Sequence, residues 1–147
     1  MSYQFVREPL NAEETDRLVN ACRSFQEKLV VWVLLDTGLR VHEFCGLRRD
    51  HVQWQENCLV VWGKGGWYGH KGKRRVVPLT ARARRLLEVH FCTNEGIGLS
   101  KRTAQRLVKR VANRAMITKP VTPHTLRHYA EISIIATASL SAASRTA

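Results

Sequence analysis

The 147-residue sequence lacks long apolar segments of the kind that membrane proteins carry. Its longest uninterrupted apolar run, Leu29 to Leu35, has seven residues, whereas a helix that crosses a bilayer needs about 20. The first nine residues contain no apolar segment typical of a secretory signal. We therefore expect a soluble, cytoplasmic protein with no membrane partner.

Cysteines are present, but never in close pairs. Zinc knuckles and redox dithiols depend on a C-x-x-C spacing, which does not occur, so neither kind of site is supported. Most of the cysteines have apolar neighbours, which favours buried, reduced thiols. The four are Cys22, Cys45, Cys58 and Cys92.

Acidic residues are scarce relative to basic ones. Twelve Asp and Glu stand against 24 Lys and Arg, which gives a net charge of +12 and a sequence pI near 10.3. A chain this basic suits a polyanion, because each phosphate that a cation neutralises releases condensed counterions. The cations are spread over several segments, which disfavours a basic helix lying on a membrane surface. Charge alone leaves open an ordinary basic protein.

The apolar pattern predicts one α+β domain over residues 1–147, mainly helical, with a small antiparallel sheet. Phe25 to Thr37 is apolar on nearly all sides, so this helix is predicted to be the buried centre, with Trp32 and Leu35 among its least exposed residues. Asn11 and Glu14 predict a capping box at the first helix. Further helices are predicted at 40–47, 80–91, 100–116 and 122–130, and strands at 51–54, 58–62 and 74–77.

The predicted helix at 100–116 has one apolar face and one strongly cationic face. Its apolar residues keep helical spacing, so one side packs while the other presents positive charge. A glycine-rich hairpin loop at 63–72 adds further cations. Such surfaces suit the phosphate backbone of double-stranded DNA. The candidate DNA contacts are Lys71, Lys73, Arg74, Lys101, Arg102, Arg106, Lys109 and Arg110.

Two cationic side chains lie one turn apart at the start of the last predicted helix. His124 and Arg127 follow Thr122 and Pro123, an N-cap and first-turn pair. A helix N-terminus with a guanidinium and an imidazole is a suitable phosphate site, although an ordinary exposed basic helix start is the alternative. His128 lies four positions after His124, but no carboxylate completes a metal site, so no metal is predicted.

Two further candidates lie elsewhere in the chain. Arg40 follows closely on Gly38, which is placed to end the apolar helix, and its guanidinium would start at the edge of the core. Glu43 can reach back one turn to hold it, the alternative being a simple surface ion pair. Lys64 lies between glycines in the hairpin loop, where it could meet a substrate oxygen or remain a solvated lysine.

Taken together and in this order, these segments closely resemble the tyrosine recombinases of the phage integrase family. Leu34 to Leu47 resembles the first arginine motif of that family, and Gly63 to Gly66 with Lys73 to Leu79 resembles its catalytic-lysine hairpin. Val121 to His128 is similar to the H-x-x-R box. The resemblance covers residues 9–130 and implies the mainly helical catalytic-domain fold of these enzymes.

The resemblance also implies a function and a set of roles. Members of this family cut and rejoin double-stranded DNA through a phosphotyrosine, as oligomers on DNA, without a cofactor, a metal or a small-molecule substrate. Arg40 and Arg127 would stabilise the charge on the phosphate, His124 would assist proton transfer, and Lys64 would protonate the leaving 5′-oxygen. Glu43 would orient the first arginine.

Three departures from the family qualify this implication. The loop at 66–72 is longer than usual, so Lys71 or Lys73 is an alternative to Lys64. Because the resemblance begins almost at the first residue, we expect the family's N-terminal core-binding domain to be absent, and residues 131–147 are an atypical Ala/Ser-rich tail without a tyrosine. Tyr129 is two positions from Arg127, so its ring projects about 200° away from the phosphate-binding face.

These departures lead to two hypotheses. The first is a recombinase catalytic domain for which no nucleophile is identified, inactive in cleavage as it stands. The alternative is a non-catalytic DNA-binding module.

Overall fold

The computed structural model describes residues 9–62 and 74–133. Within these ranges the chain is mainly helical with a three-stranded antiparallel sheet, so the predicted α+β fold class is confirmed. No helix in the described ranges is both long and apolar enough to pass through a membrane. The elements are α1 (Ala12–Ala21), α2 (Phe25–Thr37), α3 (Val41–Cys45), a short 3₁₀ helix (Arg49–His51), β1 (Val52–Gln53), β2 (Cys58–Trp62), β3 (Arg74–Pro78), α4 (Ala81–Phe91), α5 (Lys101–Arg114) and α6 (123–133).

The predicted helix boundaries are set by local capping. At α1 the Asn11 side chain accepts a hydrogen bond from the Glu14 N–H at 2.7 Å, and the Glu14 carboxylate accepts one from the Asn11 N–H at 3.0 Å. Gly38 ends α2 in the left-handed conformation, with φ of +69°. A Cβ at Gly38 would lie 3.4 Å from that of Ala130, so the end of α2 packs closely against α6.

Helix α2 is the buried centre, as predicted, but Trp32 is not one of its least exposed residues. Leu35 is 4% exposed, which confirms its prediction, whereas Trp32 is only partly buried. The indole Nε1–H donates to the Val19 carbonyl oxygen at 3.2 Å, while Lys28 and Arg82 lie over the ring at 5.5 and 5.4 Å. Because the ring has a polar N–H and attracts cations, it lies at the edge of the core.

The sheet has the strand order β1-β2-β3. Leu59 is registered opposite Val77, and Val61 opposite Arg75. Leu59, Val61 and Val77 are buried, so the face they share packs on the core. Side chains alternate along a strand, and Arg75 therefore belongs to the same inward face as Val77. An arginine on that face needs an internal partner.

The cysteines are less uniformly buried than predicted. Cys22 is buried, and burial raises the pKa of its thiol to about 11. Cys45 and Cys58 are partly buried, whereas Cys92 is exposed at the end of α4. The prediction of a buried thiol is therefore wrong for Cys92, because the chain leaves the core at that helix end.

Helix α5 packs its apolar face against α1, α2 and α3. Its buried residues are Ala104, Leu107, Val108, Val111 and Ala112, in agreement with the predicted apolar face. On the other face, two arginines turn back to the buried carboxylate of Glu27. Arg110 Nε lies 3.1 Å from Glu27 Oε2, and Arg114 Nη1 lies 2.7 Å from Glu27 Oε1. Part of the cationic face therefore stabilises the fold.

Candidate functional site

Three of the predicted site residues line one cleft of about 440 Å³. Arg40 lies at the N-terminus of α3, immediately after the turn that ends α2. His124 and Arg127 come from the first turns of α6, which lies against that same turn. Segments more than 80 positions apart in the chain thus contribute to a single site. The cleft is lined by Arg40, Val41, Pro123, His124, Arg127 and Glu131.

The start of α6 is held by the predicted cap. The Thr125 N–H donates to Thr122 Oγ1 at 3.3 Å, and the Thr122 N–H donates to Thr125 Oγ1 at 3.2 Å. Pro123 occupies the first turn, where a missing N–H costs nothing. This arrangement fixes His124, which is exposed, one turn before Arg127, which is partly buried.

Arg127 is held at the floor of the cleft by groups from three elements. Its side chain is 18% exposed, and Nη1 donates to the Gly38 carbonyl oxygen at 3.3 Å. Nε lies 3.0 Å from the carboxylate of Glu131, and Nη1 lies 3.8 Å from that of Glu43. A guanidinium fixed in this way is preorganised, so binding an anion requires little further ordering of the side chain.

Glu43 is almost completely buried and links α3 to the sheet. Both its oxygens accept hydrogen bonds from the Arg75 guanidinium, each at 2.9 Å. Burial raises the pKa of this carboxyl, but hydrogen bonds from Arg75 and from the Arg40 N–H, together with the charges of Arg75 and Arg127, outweigh burial and lower it below 4.5. Glu43 is therefore ionised at neutral pH.

The contact between Glu43 and Arg40 differs from the one predicted. Glu43 does reach back one turn, but it accepts from the backbone N–H of Arg40 at 2.9 Å. This bond caps the N-terminus of α3. The ion pairs described for the Glu43 carboxylate are with Arg75 and Arg127. The simple surface ion pair considered for Glu43 is excluded because the carboxylate is buried.

Sequence reasoning missed two residues of this site, Arg75 and Glu131. The inward position of Arg75 follows from strand alternation, but its partner lies 32 positions away and has no local signal. Glu131 was placed in the atypical tail, whereas the structure continues α6 through it. Its carboxylate lines the cleft beside Arg127, where it would meet an incoming anion.

Other predicted residues lie elsewhere. Tyr129 packs against the hydrophobic core and does not line the cleft, and His128 is exposed. Lys64, Lys71, Lys73 and residues 134–147 lie outside the described residues. Arg74 is exposed at the start of β3, and Arg110 is exposed but bonded to Glu27. The exposed cations of α5 that remain are Lys101, Arg102, Arg106 and Lys109.

A model of the phage integrase family matches residues 8–138. The chain belongs to the phage integrase family. The resemblance seen in its motifs is thereby confirmed, and a tyrosine recombinase catalytic domain accounts for both the sequence and the fold.

Named relatives of this integrase-family chain are tyrosine recombinases. Tyrosine recombinase XerD of Chlamydia pneumoniae is 30% identical over 138 residues, which cover 82% of this chain and 42% of the relative. The crystal structure of XerA recombinase superposes with a TM-score of 0.75 at 27% identity, covering 92% of this chain and 52% of that one. The chain thus spans about half the length of these relatives or less.

A more distant solved structure shares the fold. A lambda integrase dimer bound to a COC′ core site superposes with a TM-score of 0.70 at 19% identity, covering 88% of this chain and 41% of that one. The mainly helical domain with its small sheet is therefore the architecture of integrase catalytic domains.

Proposed function

We propose that this integrase-family chain is the DNA-binding catalytic domain of a site-specific recombinase, spanning residues 9–130, with the cleft as its phosphate site. The observation that carries the proposal is the meeting of Arg40, His124 and Arg127 in one cleft. The guanidiniums of Arg40 and Arg127 attract a phosphate anion, which would compete with the Glu131 carboxylate for Arg127. Another lambda integrase structure of the same fold is bound to DNA, and we propose double-stranded DNA as the partner here.

The residue types in the cleft suit phosphoryl transfer. Arg40 and Arg127 would bind the non-bridging oxygens and stabilise the charge that grows on them in the transition state. His124 would donate a hydrogen bond to the phosphate or exchange a proton with it. By the family resemblance, Lys64 would protonate the leaving 5′-oxygen. Glu43 would support both arginines.

Among the described residues, no tyrosine lines the cleft as an attacking group. Residues 130–147 contain no tyrosine. Tyr129 packs against the hydrophobic core and does not line the cleft. Without a nucleophile, stabilisation of the transition state gives no covalent intermediate. We propose that a tyrosine from another segment or another subunit completes the site, in a homo-oligomer assembled on DNA.

Supercoiled plasmid tests this proposal. The chain alone is expected to bind the plasmid but not relax it, whereas a fusion to the tyrosine-bearing C-terminal segment of the XerD relative is expected to relax it. The matched control is a fusion whose tyrosine is replaced by Phe. Relaxation by the unfused chain that Tyr129→Phe abolishes would contradict the proposal, and a fusion that binds but never cleaves would favour the non-catalytic DNA-binding module.

DNA affinity is expected to depend steeply on salt. With several phosphate contacts, the affinity for a 30-bp duplex should fall by orders of magnitude between about 50 and 200 mM salt. Arg106→Ala should reduce the slope of the log–log plot by about one, because one phosphate contact is lost. Arg85→Ala, which removes the same charge from the exposed surface of α4, should leave the slope unchanged. Equal slopes for the unmodified chain and Arg106→Ala would remove α5 from the interface.

A further inference from the structure

Glu43 places a buried negative charge beside the arginines of the cleft. Its side chain is 2% exposed, and Oε1 lies 3.8 Å from Nη1 of Arg127. The same oxygen accepts the N–H of Arg40 at 2.9 Å. At 3.8 Å the two groups form an ion pair longer than a hydrogen bond, and a buried carboxylate so close would move into hydrogen-bonding contact with the guanidinium if no other cation neutralised it. Such pairing would compete directly with a phosphate for Arg127.

Arg75 provides the other cation. Its Nη1 donates to Glu43 Oε2 and its Nη2 to Glu43 Oε1, both at 2.9 Å. This two-bond geometry is the strongest form of a carboxylate–guanidinium pair and fixes the plane of the carboxylate. Arg75 is held opposite Val61 in the β2–β3 register, so a rigid sheet determines where the Glu43 carboxylate lies.

We propose that Arg75 is a positioning residue of the cleft. By neutralising Glu43 and holding both its oxygens, Arg75 keeps this carboxylate from hydrogen-bonding to the Nη groups of Arg127, where a phosphate would bind, while Nε of Arg127 is paired with Glu131 at 3.0 Å. Arg75 does not line the cleft itself, so it acts through Glu43. The proposal rests on the phosphate-binding function proposed above. It adds a link between strand β3, which carries Arg75, and the arginines of the cleft, Arg40 and Arg127.

Arg75→Gln alone is expected to weaken phosphate binding, and a second substitution at Glu43 is expected to reverse that loss. In Arg75→Gln, the buried carboxylate turns to Arg127, so phosphate affinity falls about tenfold. Adding Glu43→Gln removes the competing charge, so the double variant should bind phosphate more tightly than Arg75→Gln alone. Arg75→Lys keeps the charge but loses the two-bond geometry, so its phosphate affinity should lie between those of Arg75→Gln and the unmodified chain.

The experiment follows the Nε–Hε NMR signal of Arg127 in the full chain during titration with inorganic phosphate. Arg84→Gln is the matched control, since it removes the same charge from a similarly exposed arginine that bonds to Trp54, Asn57 and Glu88, away from the cleft. This control is expected to bind phosphate as the unmodified chain does. Equal weakening in Arg75→Gln and in the double variant, or none in either, would overturn the proposal.

The Arg127 NMR signal measured without phosphate tests the positioning role of Arg75 independently of the proposed phosphate site. Without phosphate, the Arg127 signal should shift in Arg75→Gln and return in the double variant; the absence of that shift overturns the positioning role. An unmodified chain that ignores phosphate refutes the phosphate site but leaves this comparison valid. Should Arg75→Gln fail to fold, a folded double variant supports the proposal, and an unfolded one contradicts it.

Discussion

In Arg127→Ala, the affinity of the cleft for inorganic phosphate is expected to fall roughly 10- to 100-fold. The guanidinium can give an anion two parallel charge-assisted hydrogen bonds, each worth about 1.5–3 kcal/mol, and the remaining cleft residues replace only part of that loss. The side chain is also held by Gly38 and Glu131 before any anion arrives. Isothermal titration at low ionic strength measures the change.

Two further variants show whether the loss in Arg127→Ala comes from the guanidinium at this position. Arg127→Lys keeps the charge but loses the planar fork, so its affinity should lie between those of Arg127→Ala and the unmodified chain. Arg85→Ala removes an exposed charge from α4 and should leave phosphate binding intact. Thermal unfolding of each variant verifies that α6 remains packed. If Arg127→Ala binds phosphate as tightly as the unmodified chain, the anion site lies outside this cleft.

Glu27→Gln is expected to cost the fold about 2 kcal/mol, or roughly 6 °C in the midpoint of thermal unfolding. The carboxylate is 3% exposed and accepts bonds from the Arg23 and Ser24 N–H groups as well as from Arg110 and Arg114. It therefore joins the turn between α1 and α2 to the surface of α5. The amide that replaces it keeps the shape but loses the charge. Urea unfolding at pH 7 measures the loss.

The stabilisation of the fold by Glu27 is expected to decrease at low pH. Its pKa is lowered from 4.5 to about 2, chiefly by the hydrogen bonds from Arg114, with the Arg23 and Ser24 N–H groups adding to them against the opposing effect of burial. A lowered pKa stabilises the fold above the unfolded value of 4.5, and this stabilisation disappears as the pH falls towards 2. The stability gap between the unmodified chain and Glu27→Gln should therefore narrow across that range.

Glu56→Gln is the control for this prediction. Glu56 is exposed in the turn between β1 and β2, so its replacement should change stability little at any pH. A gap for Glu27→Gln that stays constant from pH 7 to pH 3 would mean that the negative charge of Glu27 is not what stabilises the fold.

The sequence was sufficient to predict the helix boundaries and three of the residues that line the cleft. The Asn11–Glu14 capping box and the left-handed Gly38 depend on groups within four positions of one another, and the structure contains both. The order of the motifs was enough to select Arg40, His124 and Arg127, and these do line one cleft. Short-range hydrogen bonding and apolar periodicity are properties that a chain carries before it folds.

The tertiary structure alone decided which charges are paired inside the molecule. Arg110 looked like one more cation on a surface, yet its partner Glu27 is 83 positions away, and Arg75 meets Glu43 across 32 positions. The sequence predicted Trp32 as a core residue. In the structure its ring lies at the edge of the core, bonded to the Val19 carbonyl and close to Lys28 and Arg82. Such contacts depend on how whole elements pack, because a side chain takes its partner from whichever distant segment the fold brings within hydrogen-bonding distance.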